Sequence, residues 1–433
     1  MATFDAHYSN DQHEDPAWWA CLNVVLALAH RFRAMRAPNI QFDDREAWGY
    51  LRNALAVATQ LTMMGSGLLA VQAMLGMAIV LQGTPNPLPT QGLISATIRL
   101  AQNMGLHEQY QGPGLSLPEI EQRKRVFWIA YIVDRDISLQ TGQPPAQDDE
   151  EMDVDLPADT INLDTSGGDG INFLNVTIGL AIIKSQIYKG LYSIRAKRQS
   201  EIERLIVVEE LDNILKTWKE RVSINLDGGD TRYPPDGSRL PNIVHKTILK
   251  FKYLSALDAI HRSAPQNSQW HAKSSGSQEN FKLRVSGLQK NLVCISEARK
   301  AIHVFSRLPQ GDYAYIWILL HTFVSASTTL LSEILHNPGH PLVKDDFRIV
   351  FPVLKLLKKL EKDGRNLDVA RMVEFLEALW GNAKKAVERL RCNMKGGIYF
   401  EDVREGFGIS ESSGSGKESL EDFIRRIELI SAG

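Results

Sequence analysis

A long stretch without charged residues, Asn53–Ile98, limits what this chain can fold into more than any other feature. Its most apolar part, Leu61–Leu81, is long enough to span a lipid bilayer as a helix. Glutamine, threonine and serine side chains and several glycines interrupt that part. A helix buried on all sides in a protein core has the same composition. We therefore predict a central core helix over Gly67–Gln82 and no membrane span.

Charge and cysteine content narrow the functional classes. The chain has 433 residues, with 49 Lys and Arg, 51 Asp and Glu, and a net charge of −2. Proteins that bind duplex nucleic acid normally have a basic excess, so no direct DNA contact is expected from this chain alone. Its three cysteines are too few for a four-cysteine zinc site or a disulfide framework. We expect a reduced, intracellular protein with no metal and no cofactor.

Helix signals run along nearly the whole chain. Asp15-Pro16 combines an N-cap with proline at the first helical position and predicts a helix to about Arg36. Asp43–Glu46 fits a capping box that opens a helix to about Met64. Because no run alternates with period two for long enough to be a strand, we predict an all-α fold. It is expected to be a single large multi-helical domain of about a dozen helices.

The next two helices have their own start and stop signals. Thr90 is expected to cap a helix that ends at Gly105, with Leu106 making the apolar contact of a Schellman motif. Ser116–Glu119 is a capping box and opens a helix to about Thr141.

A loop rich in Asp, Pro and Gly is predicted over Gly142–Gly170. The helices expected after it are 171–198, 200–223, 243–263, 278–306, 312–336, 345–362 and 366–392. The predicted organisation is a polar segment at 1–15, the helical domain at 16–392, and a Gly/Ser-rich tail at 393–433. A short amphipathic helix is expected near Glu418–Ile430 within that tail.

Searches for catalytic motifs find none. The sequence has no HExxH pair and no GxSxG elbow. Ser413–Lys417 resembles a phosphate-binding loop, but Glu411 and Glu418 replace the first glycine and the magnesium-binding hydroxyl. Six carboxylates in Asp148–Asp155 could bind a hard cation, but the EF-hand spacing is absent and a solvated acidic loop is favoured. We predict no catalytic residues and no metal site, and a non-enzyme is favoured.

Glu121–Arg135 is the most specific segment. It begins with charged residues and continues as an aromatic and aliphatic helix face, with Asp134 and Arg135 deep in the apolar part. Buried charges must be paired, so we expect partners from Arg123, Arg125 or another helix. Such a network either holds helices in register, which we favour, or forms the polar wall of a ligand pocket.

Several motifs in order resemble the fungal-specific transcription factor domain, also called the middle homology region, of zinc binuclear cluster transcription factors. The resemblance extends over roughly residues 20–390. The segments with the resemblance are Ala96–His107, Glu121–Arg135, Gly142–Pro144, Asp153–Pro157, Leu211–Trp218, Tyr253–Pro265, Cys294–Arg299 and Trp317–Pro338.

The resemblance implies an all-α regulatory domain that modulates transcription, often in response to a metabolite. It implies a nuclear, otherwise cytoplasmic, protein that controls metabolic or secondary-metabolite genes. A small-molecule effector and a homo- or heterodimer with a cluster-bearing regulator are the implied partners. The residues that it marks as scaffold positions are Arg123, Arg125, Trp128, Asp134, Arg135, Gly142, Pro144, Asp153 and Pro157. It transfers no catalytic residue, and the ligand-binding residues stay unknown.

Two features depart from the family pattern. Gln143 stands where the family has arginine, which removes a guanidinium. The family's zinc cluster needs six cysteines, but Cys21 is the only cysteine in the first 290 residues, so we expect this chain to lack the cluster.

Two alternative functions stay open, because a fold does not fix a function. One is a small-molecule-binding protein or repurposed enzyme of a fungal biosynthetic pathway. The other is a scaffold that pairs with a cluster-bearing homologue.

Overall fold

The computed structural model confirms the all-α prediction of about a dozen helices. It describes residues 15–34, 40–65, 67–82, 84, 86–109, 114–158, 172–222, 240–263, 294–303, 313–364 and 367–396. Within these ranges there are twelve α-helices whose bounds are given below, a further helical stretch at 294–303, and no strand. The helices are α1 (Pro16–Ala34), α2 (Ile40–Ala56), α3 (Ala58–Met64), α4 (Leu68–Gln82), α5 (Leu88–Asn103), α6 (Leu117–Thr141), α7 (Phe173–Ile187), α8 (Glu201–Arg221), α9 (Leu240–Arg262), α10 (Tyr313–His336), α11 (Val343–Gly364) and α12 (Leu367–Gly396).

The chain divides into two compact units, Met1–Ala326 and Ser327–Gly433. The first unit contains α1 to α9, and its core is continuous from α1 to α7. In the second unit α11 packs on α12, and the ring of Phe347 meets Trp380 edge-on at 4.7 Å between centroids. The predicted limits of the helical domain, 16–392, stay a prediction, and the expected helix near Glu418–Ile430 lies outside the described residues.

The uncharged helix is the centre of the first unit, as predicted. Helix α4 is buried around its circumference and packs against α1 and α5. Its buried residues are Ala70, Val71, Ala73, Met74, Leu75, Met77, Ala78, Val80 and Leu81. Arg31 of α1 is buried beside it and donates a hydrogen bond to the Val80 carbonyl at 2.8 Å. None of the helices, as far as they are described, is long and apolar enough to cross a membrane.

A glycine allows α1 and α4 to approach closely. A Cβ atom built on Gly76 would lie 2.5 Å from Cγ1 of Val24, whose branched side chain has little freedom to move. We expect Gly76→Ala to lower the free energy of unfolding by about 1–3 kcal/mol, because the added methyl overpacks the helix contact. Chemical denaturation would measure this change.

Gly92 in α5 is the matched control, since a Cβ atom there would meet nothing within 4 Å. Gly92→Ala should leave the protein as stable or raise its stability by up to about 1 kcal/mol, because alanine favours helix more than glycine does. Equal stability of the Gly76→Ala and Gly92→Ala proteins would contradict the close approach.

The predicted start of α1 is confirmed, whereas the predicted starts of α2 and α5 are wrong. The Ala17 amide donates to the Asp15 carboxylate at 2.9 Å, which is the expected cap of α1. The second helix starts at Ile40 rather than at Asp43, and a turn at residue 57 splits the predicted helix into α2 and α3. Helix α5 begins before Thr90, whose side chain is buried inside the helix.

Hydrogen bonds explain where α5 begins and ends and where α6 begins. The Leu88 amide donates to the Asn86 side chain at 3.0 Å, so Asn86 takes the capping role expected of Thr90. The Leu106 amide donates to the Ala101 carbonyl at 3.0 Å around Gly105, whose φ is +65°, as a Schellman motif requires. The Ser116 amide donates to the Glu119 carboxylate at 2.8 Å, which confirms the capping box at the start of α6.

Helix α7 ends earlier than the predicted limit at residue 198. After Ile187 the chain continues as one turn of π-helix, Tyr188–Tyr192, and a short 3-10 helix, Ala196–Arg198. Helix α8 then starts at a capping box between Ser200 and Glu203, as the sequence predicts.

Candidate functional site: the motif helix and the acidic strap

The predicted motif residues meet on α6, here called the motif helix, and on residues 142–158, here called the acidic strap. Gly142 ends the helix with a φ of +70°, a left-handed conformation that glycine adopts without strain. The strap then runs back along the helix. The Trp128 indole donates to the Asp155 carbonyl at 2.9 Å, and the Ala158 amide donates to the Glu121 carboxylate at 3.1 Å. The backbone of the strap is therefore fixed to two turns of the motif helix.

The turn after α5 holds the strap from its other side. The backbone amides of Asp153 and Val154 both donate to the His107 carbonyl, at 3.1 and 3.2 Å. In return, the Gln109 amide donates to the Asp153 carboxylate at 2.7 Å. Val154 is buried in the core between these contacts. The strap is thus an ordered segment of the first unit.

Arg135 is the charged centre of this region, and only 1% of its surface is exposed. Its guanidinium donates to the carboxylates of Asp134 at 2.7 Å and Asp149 at 2.6 Å, and to the Gln147 carbonyl at 2.7 Å. The guanidinium carbon also lies 4.1 Å from the centroid of the Tyr131 ring. A planar fork of N–H groups suits such convergent acceptors, which a lysine could not reach together.

Asp149 joins the strap to two helices. Besides Arg135, it accepts hydrogen bonds from the Tyr131 hydroxyl at 2.8 Å and the Ser185 hydroxyl of α7 at 2.5 Å. Burial works to raise the pKa of Asp149, but the Ser185 hydrogen bond and the Arg135 charge outweigh it and lower the pKa to about 2. The Asp149 carboxylate is therefore ionised at neutral pH.

Asp134 is almost fully buried beneath the strap. Its carboxylate accepts hydrogen bonds from the backbone amides of Ala146 at 3.0 Å and Gln147 at 3.2 Å, in addition to the bond from Arg135. Burial raises the pKa of Asp134, while Arg135 and the two amides act in the opposite direction. Asp134 thus holds the start of the strap against the motif helix.

A second buried cluster lies one residue along the motif helix. Asp136 accepts a hydrogen bond from Lys184 of α7 at 2.7 Å and another from Lys252 of α9. Burial works to raise the pKa of Asp136, but the two lysines lower it to about 2. Burial also lowers the pKa of Lys184. This lysine cluster, Asp136 with Lys184 and Lys252, was not predicted, although Lys184 is the only charged residue of an apolar helix.

The partners expected for Asp134 and Arg135 need correction. Arg123 donates to the Met104 carbonyl at 2.7 Å, and Arg125 pairs with Glu121 at 2.7 Å on the same helix. The partners of Arg135 come instead from its own neighbour and from the acidic strap. The strap was expected to be a solvated loop, and that expectation is wrong for Asp149.

The remaining predicted positions differ in their surroundings. Pro144 is exposed, whereas Pro157 is buried and its carbonyl accepts a hydrogen bond from the Asn175 side chain at 3.1 Å. Asp153 is exposed at its side chain but fixes the turn after α5, as described above. Their role as scaffold positions stays a prediction.

Metal binding and thiol chemistry are two activities that the described residues allow to be examined. In the part of the chain with described positions, no group of three His, Cys, Asp or Glu side chains is arranged to hold a metal ion. Burial raises the pKa of the Cys21 thiol to about 11 and of the Cys294 thiol to about 12, which makes both poor nucleophiles.

Acid should weaken the contact between the strap and the two helices. Because the pKa of Asp149 falls from 3.8 to about 2 on folding, the folded state binds fewer protons than the unfolded state. This stabilisation, about 2 kcal/mol, is present above pH 4 and is lost as the pH falls from about 4 to about 2. Asp149→Asn should therefore be less stable than the unchanged protein at pH 7, with a difference that narrows in acid.

Urea denaturation over a pH series would measure this difference. Glu150→Gln, at the exposed neighbouring position, is the control and should stay close to the unchanged protein throughout. A stability difference for Asp149→Asn that stays constant between pH 5 and pH 2 would contradict the assignment.

Comparison with known proteins identifies the class. The profile of the fungal specific transcription factor domain matches residues 2–220, which include the motif helix and the acidic strap. The chain belongs to this family. No solved structure matches it significantly.

Named relatives are fungal transcription factors. The ABC-transporter-regulating transcription factors of Aspergillus oryzae and Aspergillus fumigatus are each 39% identical over 389 residues, which cover 86% of this chain and 42% of each relative. The Fusaridione A cluster transcription factor fsdR of Fusarium heterosporum is 30% identical over 395 residues, which cover 90% of this chain and 73% of that protein. The chain thus spans less than half the length of the two Aspergillus relatives.

Proposed function

We propose that this chain is the regulatory region of a fungal transcription regulator that controls metabolic or secondary-metabolite genes. The match of the fungal specific transcription factor domain to residues 2–220 is the observation on which this proposal rests. The names of the relatives support the kind of target, since one group regulates an ABC transporter and another regulates a Fusaridione A gene cluster.

The proposed site of action is the nucleus, and the proposed partner is a DNA-binding regulator with a zinc cluster. The near-neutral charge of this chain, −2, supports a role in which DNA contact is made elsewhere. A homodimer or a heterodimer would bring the helical region to such a partner. A small-molecule effector is the proposed input.

The geometry of the motif residues supports a scaffold role in that regulation. The strap, the motif helix and α7 are joined at Asp149, which accepts hydrogen bonds from Arg135 and Ser185. Chains of packed side chains and hydrogen bonds of this kind can carry energetic coupling between distant surfaces, which supports the proposed scaffold role.

The proposal is tested by fusing the chain to an unrelated DNA-binding module upstream of a reporter gene in a fungal host. We expect reporter expression to change relative to the DNA-binding module alone. Arg135→Met in the same fusion should abolish the change, because it breaks the buried pair with Asp134 and disrupts the fold. Arg195→Met, at an exposed position, should preserve it.

Deletion of the gene gives the opposing outcomes. Altered transcript levels of a defined gene set would support the proposal. Unchanged transcript levels together with loss of a chemical step would contradict it and favour an enzyme of a biosynthetic pathway.

A further inference from the structure

The lysine cluster of the first unit has more positive than negative charge. Two ammonium groups, Lys184 and Lys252, share the single carboxylate of Asp136. The neighbouring network around Arg135 is different, because Asp134 and Asp149 both face that guanidinium and Lys189 lies 3.2 Å from Asp149. Lys189 also pairs with Asp148 at 3.1 Å, so that network has no positive surplus, and the surplus positive charge is specific to the lysine cluster.

Burial makes this surplus charge significant. The side chain of Lys184 is 3% exposed and that of Asp136 is 12% exposed, so water compensates them poorly. An unpaired buried charge is strongly unfavourable. Each ammonium has three donors, and across the described chain each has a single hydrogen-bonding partner, Asp136. Four N–H groups thus remain for another acceptor.

We propose that the lysine cluster binds a small anionic group, a carboxylate or a phosphate monoester. Such a group would balance the charge and accept hydrogen bonds from the two ammonium groups. Lys252, whose side chain is 21% exposed, is the member that an incoming anion reaches from solvent. An acid metabolite or a phosphorylated metabolite has the required chemistry.

An anion bound at the lysine cluster would link three helices. Asp136, Lys184 and Lys252 come from α6, α7 and α9, and an anion held by both lysines would tie α7 and α9 to the motif helix. The role of such an anion as an effector rests on the proposed function, whereas the binding itself does not.

Thermal unfolding with added inorganic phosphate, acetate or chloride at equal ionic strength tests the binding step. We expect phosphate or acetate to raise the Tm of the full chain by about 2 °C or more at saturation, relative to chloride. Because kosmotropic anions such as phosphate also stabilise proteins without binding a site, the arm whose shift is lost in Lys252→Met distinguishes the phosphate source from the carboxylate source. Absence of a shift with both anions would overturn the proposal.

Three variants assign the shift to the cluster. Lys252→Met leaves a one-to-one pair between Asp136 and Lys184, so it should fold and lose the anion-dependent shift. Lys252→Arg keeps the charge and should keep the shift. Lys216→Met removes the same charge at an exposed position of α8 and should also keep it. A shift that survives in Lys252→Met, or that is lost equally in Lys216→Met, would overturn the proposal.

A measurement on the unchanged protein avoids dependence on folding of the variants. Acetylation of lysines followed by mass spectrometry should show that phosphate or acetate protects Lys252 several-fold more than Lys216. Equal protection of the two lysines would overturn the proposal. The reporter fusion separates binding from regulation. If the anion protects Lys252 but Lys252→Met does not alter reporter expression by the fusion protein, the anion binds at the cluster and does not act as an effector.

Discussion

Replacing Arg135 with methionine is expected to lower the free energy of unfolding of the first unit by about 3–5 kcal/mol. The substitution removes the guanidinium that faces the carboxylates of Asp134 and Asp149, at 2.7 and 2.6 Å. Asp134 would then be a buried charge whose remaining donors are two backbone amides. The Gln147 carbonyl would also lose its donor. Removing one member of a buried pair costs more than the pair itself contributes, because the other member stays desolvated.

Chemical denaturation at pH 7, followed by tryptophan fluorescence, measures this effect. Trp128 is a suitable reporter because it contacts Tyr131, with ring centroids 5.2 Å apart. Arg195→Met is the matched control, since Arg195 is exposed and lies between α7 and α8, away from the strap in sequence. We expect that control to change stability by at most about 1 kcal/mol. A loss of less than about 1 kcal/mol for Arg135→Met would show that the buried network does not hold the strap.

The second large effect is expected for Asp136→Asn, which leaves two ammonium groups facing a neutral amide. At pH 7 we expect this substitution to lower the free energy of unfolding by about 3–5 kcal/mol. Burial already lowers the pKa of Lys184, and without the carboxylate this pKa would fall further. The folded state would then bind fewer protons than the unfolded state, so the stability of the variant should rise as the pH increases toward the ordinary lysine pKa.

Denaturation at pH 7 and at higher pH distinguishes this mechanism from a simple packing defect. The unchanged protein should show a smaller rise over the same pH interval. Asp148→Asn serves as the control, because Asp148 is 57% exposed and pairs with a half-exposed lysine. It should lose at most about 1 kcal/mol. A pH-independent loss in Asp136→Asn would exclude a buried lysine as its cause.

The helices could be predicted well wherever local chemistry decides them. The capping box at Ser116–Glu119 and the glycine at 142 mark both ends of the motif helix, and each involves atoms close in sequence. Local signals failed where two capping residues compete. Asn86 and Thr90 are both good caps, and burial of Thr90 inside α5 decided between them.

The site could be predicted only in part. The position of Asp134 and Arg135 in an apolar stretch shows that they need partners, but it does not show which residues those are. Asp149 lies 14 residues away in a run of carboxylates that looks like a solvated loop. Lys184 and Lys252 lie 48 and 116 residues from Asp136. Such pairs depend on tertiary packing, which has no local signature.

The hydrogen bonds of the acidic strap divide its residues into two kinds for evolution and design. Backbone atoms make most of the contacts that fix its path, at Ala146, Gln147, Val154, Asp155 and Ala158. Any residue with the same backbone freedom supplies those atoms, so side chains such as Glu150 and Glu151 are open to change. Asp149 and Asp153 are different, because their carboxylates are themselves the contacts. A sequence search for distant relatives should therefore weight the acids at 149 and 153 above the acidity of the run around them.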